Sequence, residues 1–296
     1  MNVQQLGKIV DIRTKSISSG TLIAAFSYAI YHAQGVQLFE AVLLIIATLA
    51  IDMASTATNT YYDYKSGVDA PDKEKEEQKV LVHETLPPIA ALIVALILFG
   101  FAGILGLVLA WRTSWLLLGV GVVSVGVGYG YTAGPFPIAN TPVGELFAGG
   151  FLGSVLFCIT LFTQGLTLHF QACVASVPLL LYIAMILSVN NVCDRVGDSE
   201  SGRRTLAILL PERLLVPLIA LEGFGAYLLT LFFSVKGIFP PAMLWVQGIG
   251  TLLFTRNFIK ATKLGFIAKN KGLQMGFATQ GYLLLTVGFL LGHLLG

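Results

Sequence analysis

Long apolar stretches recur along the chain and are separated by short polar segments. The stretches are continuously apolar, whereas a strand of a membrane barrel alternates at every second residue. Each has close to the roughly 20 residues that cross a bilayer as a helix. The pattern predicts an all-α polytopic membrane protein with nine transmembrane helices, near residues 17–35, 37–62, 86–110, 114–132, 143–166, 169–191, 213–235, 239–258 and 272–295.

The composition supports this interpretation and excludes other classes of protein. Of the 296 residues, 55% are apolar and 11% are charged, whereas a soluble domain has about 25% charged residues. The apolar content also excludes a disordered chain, and a net charge of +2 argues against a nucleic-acid partner. We therefore expect one integral membrane domain over residues 1–296.

The basic residues predict how the helices are oriented. If the helices alternate in direction, 16 of the 18 Lys and Arg residues lie on one side, and only Arg112 and Lys236 lie on the other. Cytoplasmic segments of membrane proteins are enriched in Lys and Arg. We therefore expect a multi-pass protein of the cell membrane whose N-terminus is cytoplasmic. Most acidic residues fall in two loops on the same side, about 63–85 and 194–212, which we expect to cap the bundle.

The first acidic motif lies at the end of the second predicted helix. Asn59 and Asp63 are one helical turn apart, and Asp52 and Thr56 extend the same face into the membrane. An ionisable residue at membrane depth such as Asp52 is by default a functional-site hypothesis. The structural alternative is a hydrogen bond from Asp52 to a neighbouring helix.

The second acidic motif lies at the end of the sixth predicted helix and resembles the first. Asn190, Asp194 and Asp198 follow each other at intervals of four residues. Carboxylate and amide oxygens are ligands for hard cations, and Mg²⁺ typically takes one or two carboxylates together with substrate phosphates. Two such motifs on the same side of the membrane therefore predict Mg²⁺ ions that bridge one diphosphate.

Basic residues accompany both motifs. Lys65 and Lys79 follow the first motif, and Arg203 and Arg204 follow the second. Guanidinium groups match phosphate oxygens in shape, and Lys acts as a point charge. These cations and the metal would neutralise a diphosphate leaving group, on which negative charge develops when an allylic C–O bond breaks.

A segment rich in Gly and Pro lies between the two motifs. Residues 130–138 predict a non-helical turn after the fourth helix. Tyr131 and Glu145 flank this turn, from which they would point into the site, although a turn without a further role is the alternative. The aromatic rings that follow the first motif suit either a carbocation or the membrane interface; they belong to Tyr61, Tyr62 and Tyr64.

These motifs resemble those of the UbiA superfamily of intramembrane prenyltransferases, and most closely its 1,4-dihydroxy-2-naphthoate (MenA-type) branch. The similarity covers most of the chain, and the sequence Gly202-Arg203-x-Thr205-Leu206 is typical of the naphthoate branch. The matching pieces are Asn59-x3-Asp63-Tyr64-Lys65-x-Gly67-x-Asp69, Lys79-Val80-Leu81-Val82, Tyr131-Thr132-Ala133-Gly134-Pro135-x-Pro137, Gly144-Glu145, and Asn190-Asn191-x2-Asp194-x3-Asp198-x3-Gly202-Arg203-x-Thr205-Leu206-Ala207.

The resemblance implies a nine-helix bundle around a central cavity, in which a polyprenyl group passes from polyprenyl diphosphate to 1,4-dihydroxy-2-naphthoate. Diphosphate and CO₂ are released, and the product is a demethylmenaquinone. Mg²⁺ and the diphosphate would be held by Asn59, Asp63, Asp69, Asn190, Asn191, Asp194 and Asp198. Lys65, Lys79, Arg203 and Arg204 would bind the diphosphate or the acceptor carboxylate. Tyr131 would line the pocket of the allylic cation.

Three departures from the family pattern and two alternative functions follow from the same residues. Cys193 stands where an Arg commonly precedes the Asp, and Asn140 follows the Gly-Pro turn where Tyr is common. Thr60 stands where the family usually has a second acid, and we expect its hydroxyl to serve a metal-bound water. A different aromatic acceptor, such as 4-hydroxybenzoate or homogentisate, is one alternative. An ion-coupled secondary transporter that uses Asp52, Asn59 and Glu222 as an ion path is the other.

Overall fold

The computed structural model describes residues 2–33, 35–67, 80–83 and 86–296, and every regular element in these ranges is helical. Short 3-10 turns cover Ile12–Lys15, Ile138–Asn140 and Ala268–Asn270, and a π-helical turn covers Gly150–Val155. The α-helices are α1 Val3–Ile9, α2 Ser16–Ala33, α3 Leu38–Ser66, α4 Val80–His83, α5 Ile89–Arg112, α6 Leu116–Gly130, α7 Gly144–Gly149, α8 Leu156–Thr163, α9 Phe170–Val174, α10 Val177–Glu200, α11 Leu206–Leu209, α12 Glu212–Val235, α13 Ala242–Leu264 and α14 Lys271–Leu295.

Within the described residues, six helical segments are long and apolar enough to cross a membrane: Leu38–Ser66, Ile89–Arg112, Gly144–Thr163, Phe170–Glu200, Glu212–Val235 and Ala268–Leu295. Helices also form at the other three predicted positions, but polar side chains interrupt α2 and α13. Helix α6 has 15 residues, or about 22 Å at 1.5 Å per residue. The six segments point to an integral membrane protein, and the predicted count of nine spans is not confirmed.

Two helices extend further than the apolar pattern predicts. Helix α3 continues to Ser66 and α10 continues to Glu200, because helix propagation gains a backbone hydrogen bond per residue even where the side chains become polar. The predicted cap loops 63–85 and 194–212 are therefore helical at their beginnings. Both acidic motifs consequently start on rigid helix ends. Asp69 and Lys79 lie outside the described residues.

Helix α10 is the central helix of the bundle. It packs against α7, α12, α14 and the π-helical turn, and 67% of its apolar window is buried, against 22% for α5. Its buried residues belong to the largest apolar cluster, together with residues of α2, α8, α12, α13 and α14. A polar side chain on α10 is therefore either partnered inside the bundle or directed into an internal site.

Two glycines bring the α7 region into backbone contact with α10. A Cβ at Gly153 would lie 2.6 Å from the backbone nitrogen of Leu180, and one at Gly149 would collide with the carbonyl oxygen of Leu180. Gly153 lies in the π-helical turn, a distortion that is frequent near functional sites. The close approach sets the position of Glu145, one turn before Gly149, against α10.

We expect Gly153→Ala to destabilise the protein by about 1–3 kcal/mol, because the new methyl group forces the backbones apart. Gly150→Ala is the matched control, since a Cβ at this neighbouring position meets no atom within 4 Å and Ala favours helix over Gly. The unfolding midpoint of both variants in detergent measures the difference. Equal midpoints for the two variants would contradict the proposed backbone contact.

Asp52, a candidate site residue from the sequence, forms a buried ion pair instead. The ammonium group of Lys15 contacts the Asp52 carboxylate and donates to Thr56 Oγ1 at 2.7 Å. The Ser18 hydroxyl donates to the second Asp52 oxygen at 2.6 Å. The side chains of Lys15 and Asp52 are only 6% and 14% exposed. Asp52 thus has the structural role of the alternative interpretation, but as the acceptor in an ion pair rather than as a protonated donor, and its partners lie at the beginning of α2 and in the turn before it.

We expect Asp52→Leu to cost about 3–5 kcal/mol of stability, because the Lys15 ammonium would stay buried without its counter-ion. The double variant Lys15→Met, Asp52→Leu removes both charges and should recover most of the loss. Thermal unfolding of the three proteins in the same detergent tests this. A double variant less stable than Asp52→Leu would show that the pair is not the stabilising feature.

Candidate active site

One guanidinium group joins the two acidic motifs. Arg203 Nη2 lies 3.2 Å from Asp63 Oδ1 on α3, and Arg203 Nη1 lies 3.0 Å from Asp198 Oδ1 on α10. The side chains of Asp63, Asp198 and Arg203 are 18%, 7% and 14% exposed. The two helix ends, which the sequence analysis expects to bind one diphosphate between them, are thus joined by Arg203.

A glycine at the end of α10 places Arg203 over this site. Gly202 has φ +78°, a conformation that favours glycine. Its N–H donates to Ser199 O at 3.1 Å, and the Arg203 N–H donates to Asp198 O at 3.0 Å. These two bonds form a Schellman motif, in which the chain reverses directly after the helix. The backbone thus turns Arg203 back towards the Asp198 carboxylate.

Asp194 has a partner that the sequence analysis did not include in the site. Lys271 Nζ, at the start of α14, lies 2.9 Å from Asp194 Oδ2. No sequence pattern indicates this contact, because Lys271 is one of several lysines in the segment before the last helix and belongs to no motif. Asp194 and Asp198 are thus four residues apart on α10 but bind different cations.

The Gly and Pro turn after α6 brings Tyr131 to the site. Its hydroxyl would lie 3.6 Å from a Cβ at Gly144, next to the buried Glu145. Burial and the nearby Glu145 carboxylate raise the pKa of Tyr131, while Arg203 acts in the opposite direction. Tyr131 therefore lies in the electrostatic range of both Glu145 and Arg203. The non-helical character of the turn agrees with the prediction, apart from the single 3-10 turn Ile138–Asn140.

Asn191, predicted to bind the substrate diphosphate, contacts another residue of the site. Its side-chain amide donates to Glu145 Oε1 at 2.8 Å, and both residues are buried. Asn191 precedes Asp198 by seven residues on α10, or about 10 Å along the helix axis. In the structure it therefore fixes Glu145 below the level of Asp198.

Three further candidates are not drawn into this cluster. Lys65 is exposed, and its ammonium group lies 5.7 Å from the ring centre of Tyr61. Arg204 is exposed, and its backbone N–H donates to Asn140 O at 2.9 Å. The Thr60 hydroxyl donates to Ile9 O at 3.0 Å. Thr60 thus ties α3 to α1, and the expectation that its hydroxyl serves a metal-bound water is not supported.

The donor atoms of the site fit a divalent cation that the substrate helps to bind. In the described ranges, no three His, Cys, Asp or Glu side chains are grouped as a complete metal site. Asn59 Oδ1 and Asp198 Oδ2 are buried oxygens without a hydrogen-bond partner, and Arg203 Nε is a buried donor without one. Unused amide and carboxylate oxygens suit Mg²⁺, which completes its shell with phosphate oxygens.

Comparisons with known proteins show which family the chain resembles. Residues 20–268 match the model of the UbiA prenyltransferase family. The 1,4-dihydroxy-2-naphthoate octaprenyltransferase of Bacillus subtilis is 35% identical over 222 residues, which are 75% of this chain and 69% of that protein. Other curated relatives are matched over 66% or 59% of their length.

Solved structures show the same fold. A UbiA homologue from Aeropyrum pernix superposes with a TM-score of 0.71 at 15% identity, covering 94% of this chain and 98% of that one. A UbiA homologue from Archaeoglobus fulgidus bound to DMAPP and Mg²⁺ gives a TM-score of 0.59 at 14% identity, covering 97% and 99%. The sequence match, the fold and the two joined acidic motifs agree, and the chain belongs to the UbiA prenyltransferase family.

Proposed function

We propose that the protein transfers a polyprenyl group from polyprenyl diphosphate to 1,4-dihydroxy-2-naphthoate with loss of CO₂ and so forms a demethylmenaquinol, the two-electron-reduced form of a demethylmenaquinone. The observation that carries the proposal is the Arg203 bridge, because it joins one carboxylate from each motif to a guanidinium group that matches phosphate oxygens in shape. The similarity to the B. subtilis octaprenyltransferase supports the naphthoate acceptor. The distribution of Lys and Arg supports a site on the cytoplasmic side of the cell membrane.

In the proposed reaction, this chain binds and neutralises the diphosphate. Arg203 has a free Nε donor beside its two ion pairs, so its guanidinium fork offers hydrogen bonds to phosphate oxygens. Asn59, Asp63, Asn190, Asp194 and Asp198 would hold Mg²⁺, with Asp69 outside the described residues. When bound, Mg²⁺ would supply Lewis-acid stabilisation of the charge that develops on the leaving diphosphate.

The remaining steps take place between the diphosphate and Tyr131. Departure of the diphosphate leaves an allylic cation, towards which the Tyr131 ring would present its negative face. The electron-rich naphthoate ring attacks the cation at the carbon that bears the carboxylate. The new ring–prenyl bond forms there, and the carboxylate leaves as CO₂ while its bonding electron pair returns to the ring.

We expect the purified protein with Mg²⁺ and a polyprenyl diphosphate to prenylate 1,4-dihydroxy-2-naphthoate faster than 4-hydroxybenzoate or homogentisate. Mass spectrometry of the product and release of diphosphate and CO₂ measure the reaction. The double variant Asp63→Ala, Asp194→Ala should lose at least about 100-fold in rate, because metal and diphosphate lose ligands from both motifs. Glu200→Gln, at an exposed position on the same helix end, is the control. Full activity of the double variant would refute the mechanism.

We expect Arg203→Met to lower kcat/KM for the prenyl diphosphate by about 100-fold, because the site loses a buried fork of charged donors. Arg203→Lys should recover only part of the loss, since one ammonium group cannot bridge Asp63 and Asp198 as a fork. Arg204→Met is the matched comparison and should cost less than about fivefold, because Arg204 is exposed. Equal losses at the two positions would contradict the central role of Arg203.

A further inference from the structure

Two buried glutamates below the diphosphate site each have an oxygen without a partner among the described residues. Glu145 on α7 is 3% exposed and Glu222 on α12 is 9% exposed. In each, Oε2 is buried and makes no hydrogen bond within the described part of the chain. A buried polar atom left unpaired is unfavourable, so two of them in one region have a cost that the packing of the described residues does not explain.

The two glutamates face the same part of α10. Glu145 is held by Asn191 at 2.8 Å. Glu222 lies beside Ser188 and within the electrostatic range of Glu145. Ser188 and Asn191 are three residues apart and thus neighbours on one side of α10. The Ser188 hydroxyl is also buried, and the Glu222 carboxyl group is its neighbour, so Glu145, Glu222 and Ser188 form one group, the deep polar group.

Tyr131 connects the deep polar group to the diphosphate site. It interacts electrostatically with both Glu145 and Arg203. Asn191, which holds Glu145, precedes Asp198 by seven residues on α10, a rise of about 10 Å. A flat aromatic molecule placed beside Tyr131 would therefore have the cations of the diphosphate site at one end and two carboxyl groups at the other.

We propose that the deep polar group binds the ring hydroxyl of the aromatic acceptor at the end away from the diphosphate, an inference that rests on the proposed function. A hydroxyl group can donate a hydrogen bond to Glu145 Oε2 or Glu222 Oε2, which would satisfy an atom that is unpaired in the fold. The acceptor's own carboxylate would be repelled by these glutamates and attracted to Arg203. The acceptor is thus oriented with its carboxylate-bearing carbon towards the allylic cation.

The test compares two acceptors that differ by one hydroxyl group, 1,4-dihydroxy-2-naphthoate and 1-hydroxy-2-naphthoate. For the wild-type protein, loss of the distal hydroxyl should lower kcat/KM by about 10- to 100-fold, the range of a hydrogen bond to a charged group. In Glu222→Leu and Glu145→Gln this discrimination should fall to within about threefold. The KM for the prenyl diphosphate should stay within about twofold, because its ligands are unchanged.

A stability measurement separates this role from a structural one. Glu222→Leu replaces a buried carboxyl group, whose Oε2 has no hydrogen-bond partner among the described residues, by an apolar side chain, so its unfolding midpoint should equal or exceed that of the wild type. Glu40→Gln is the matched control, since Glu40 is a buried glutamate that pairs with Arg112 at 2.8 Å, away from the site. This control should retain the full discrimination between the two acceptors.

The outcomes distinguish the inference from the function on which it rests. If the wild-type protein prenylates neither naphthoate, the result contradicts both the proposed function and this inference. If the wild type is active but Glu222→Leu and Glu145→Gln keep the wild-type discrimination, only the acceptor-binding role of the deep polar group is overturned. Should one variant not fold, the other decides, because each removes a different carboxylate of the same group.

Discussion

The double ion pair of Arg203 is the interaction on which the site depends. Without it, the ends of α3 and α10 would present acidic side chains of like charge to each other in a region that water reaches poorly, and such an arrangement is unfavourable. Arg203 compensates one carboxylate from each helix. Its own position is fixed by backbone bonds after Gly202, so the cation is placed independently of the side chains that it neutralises. The same guanidinium retains an unused donor for an incoming anion.

Close backbone packing around α10 positions the polar residues that lie below the Arg203 ion pairs. Gly149 and Gly153 allow the α7 region to contact α10 without intervening side chains, and Asn191 then fixes Glu145. The shape and polarity of the site are therefore determined by side chains on packed helices. Sites built on helices hold reacting groups more accurately than sites built on loops. By contrast, the Lys15–Asp52 pair and the Ser18 hydroxyl join the beginning of α2 to α3, which removes Asp52 from the ion path of the transporter interpretation.

The sequence predicted the helices and both acidic motifs because these depend on local patterns. Apolar runs gave the helix positions, and the four-residue spacing of Asn190, Asp194 and Asp198 gave a common helix. These local patterns did not predict which side chains contact each other between helices. Lys271 and Glu145 reach their partners through packing between distant helices, and Thr60 bonds to α1 rather than to the site. The structure also leaves the predicted count of nine spans unconfirmed, because six helical segments of the described residues are long and apolar enough to cross a membrane.

The short length of α6 has a consequence for how a lipid-soluble substrate arrives. At 15 residues, α6 falls about 8 Å short of the roughly 30 Å hydrocarbon core, whereas α3 with its 29 residues extends well beyond that thickness. The Tyr62 hydroxyl on α3 lies 2.8 Å from the Tyr129 hydroxyl on α6, so the turn that carries Tyr131 begins about one helical turn before the end of α3. Under the proposed function, a polyprenyl tail dissolved in the bilayer would reach this level from the lipid, and the isoprenoid chain would not have to pass through water.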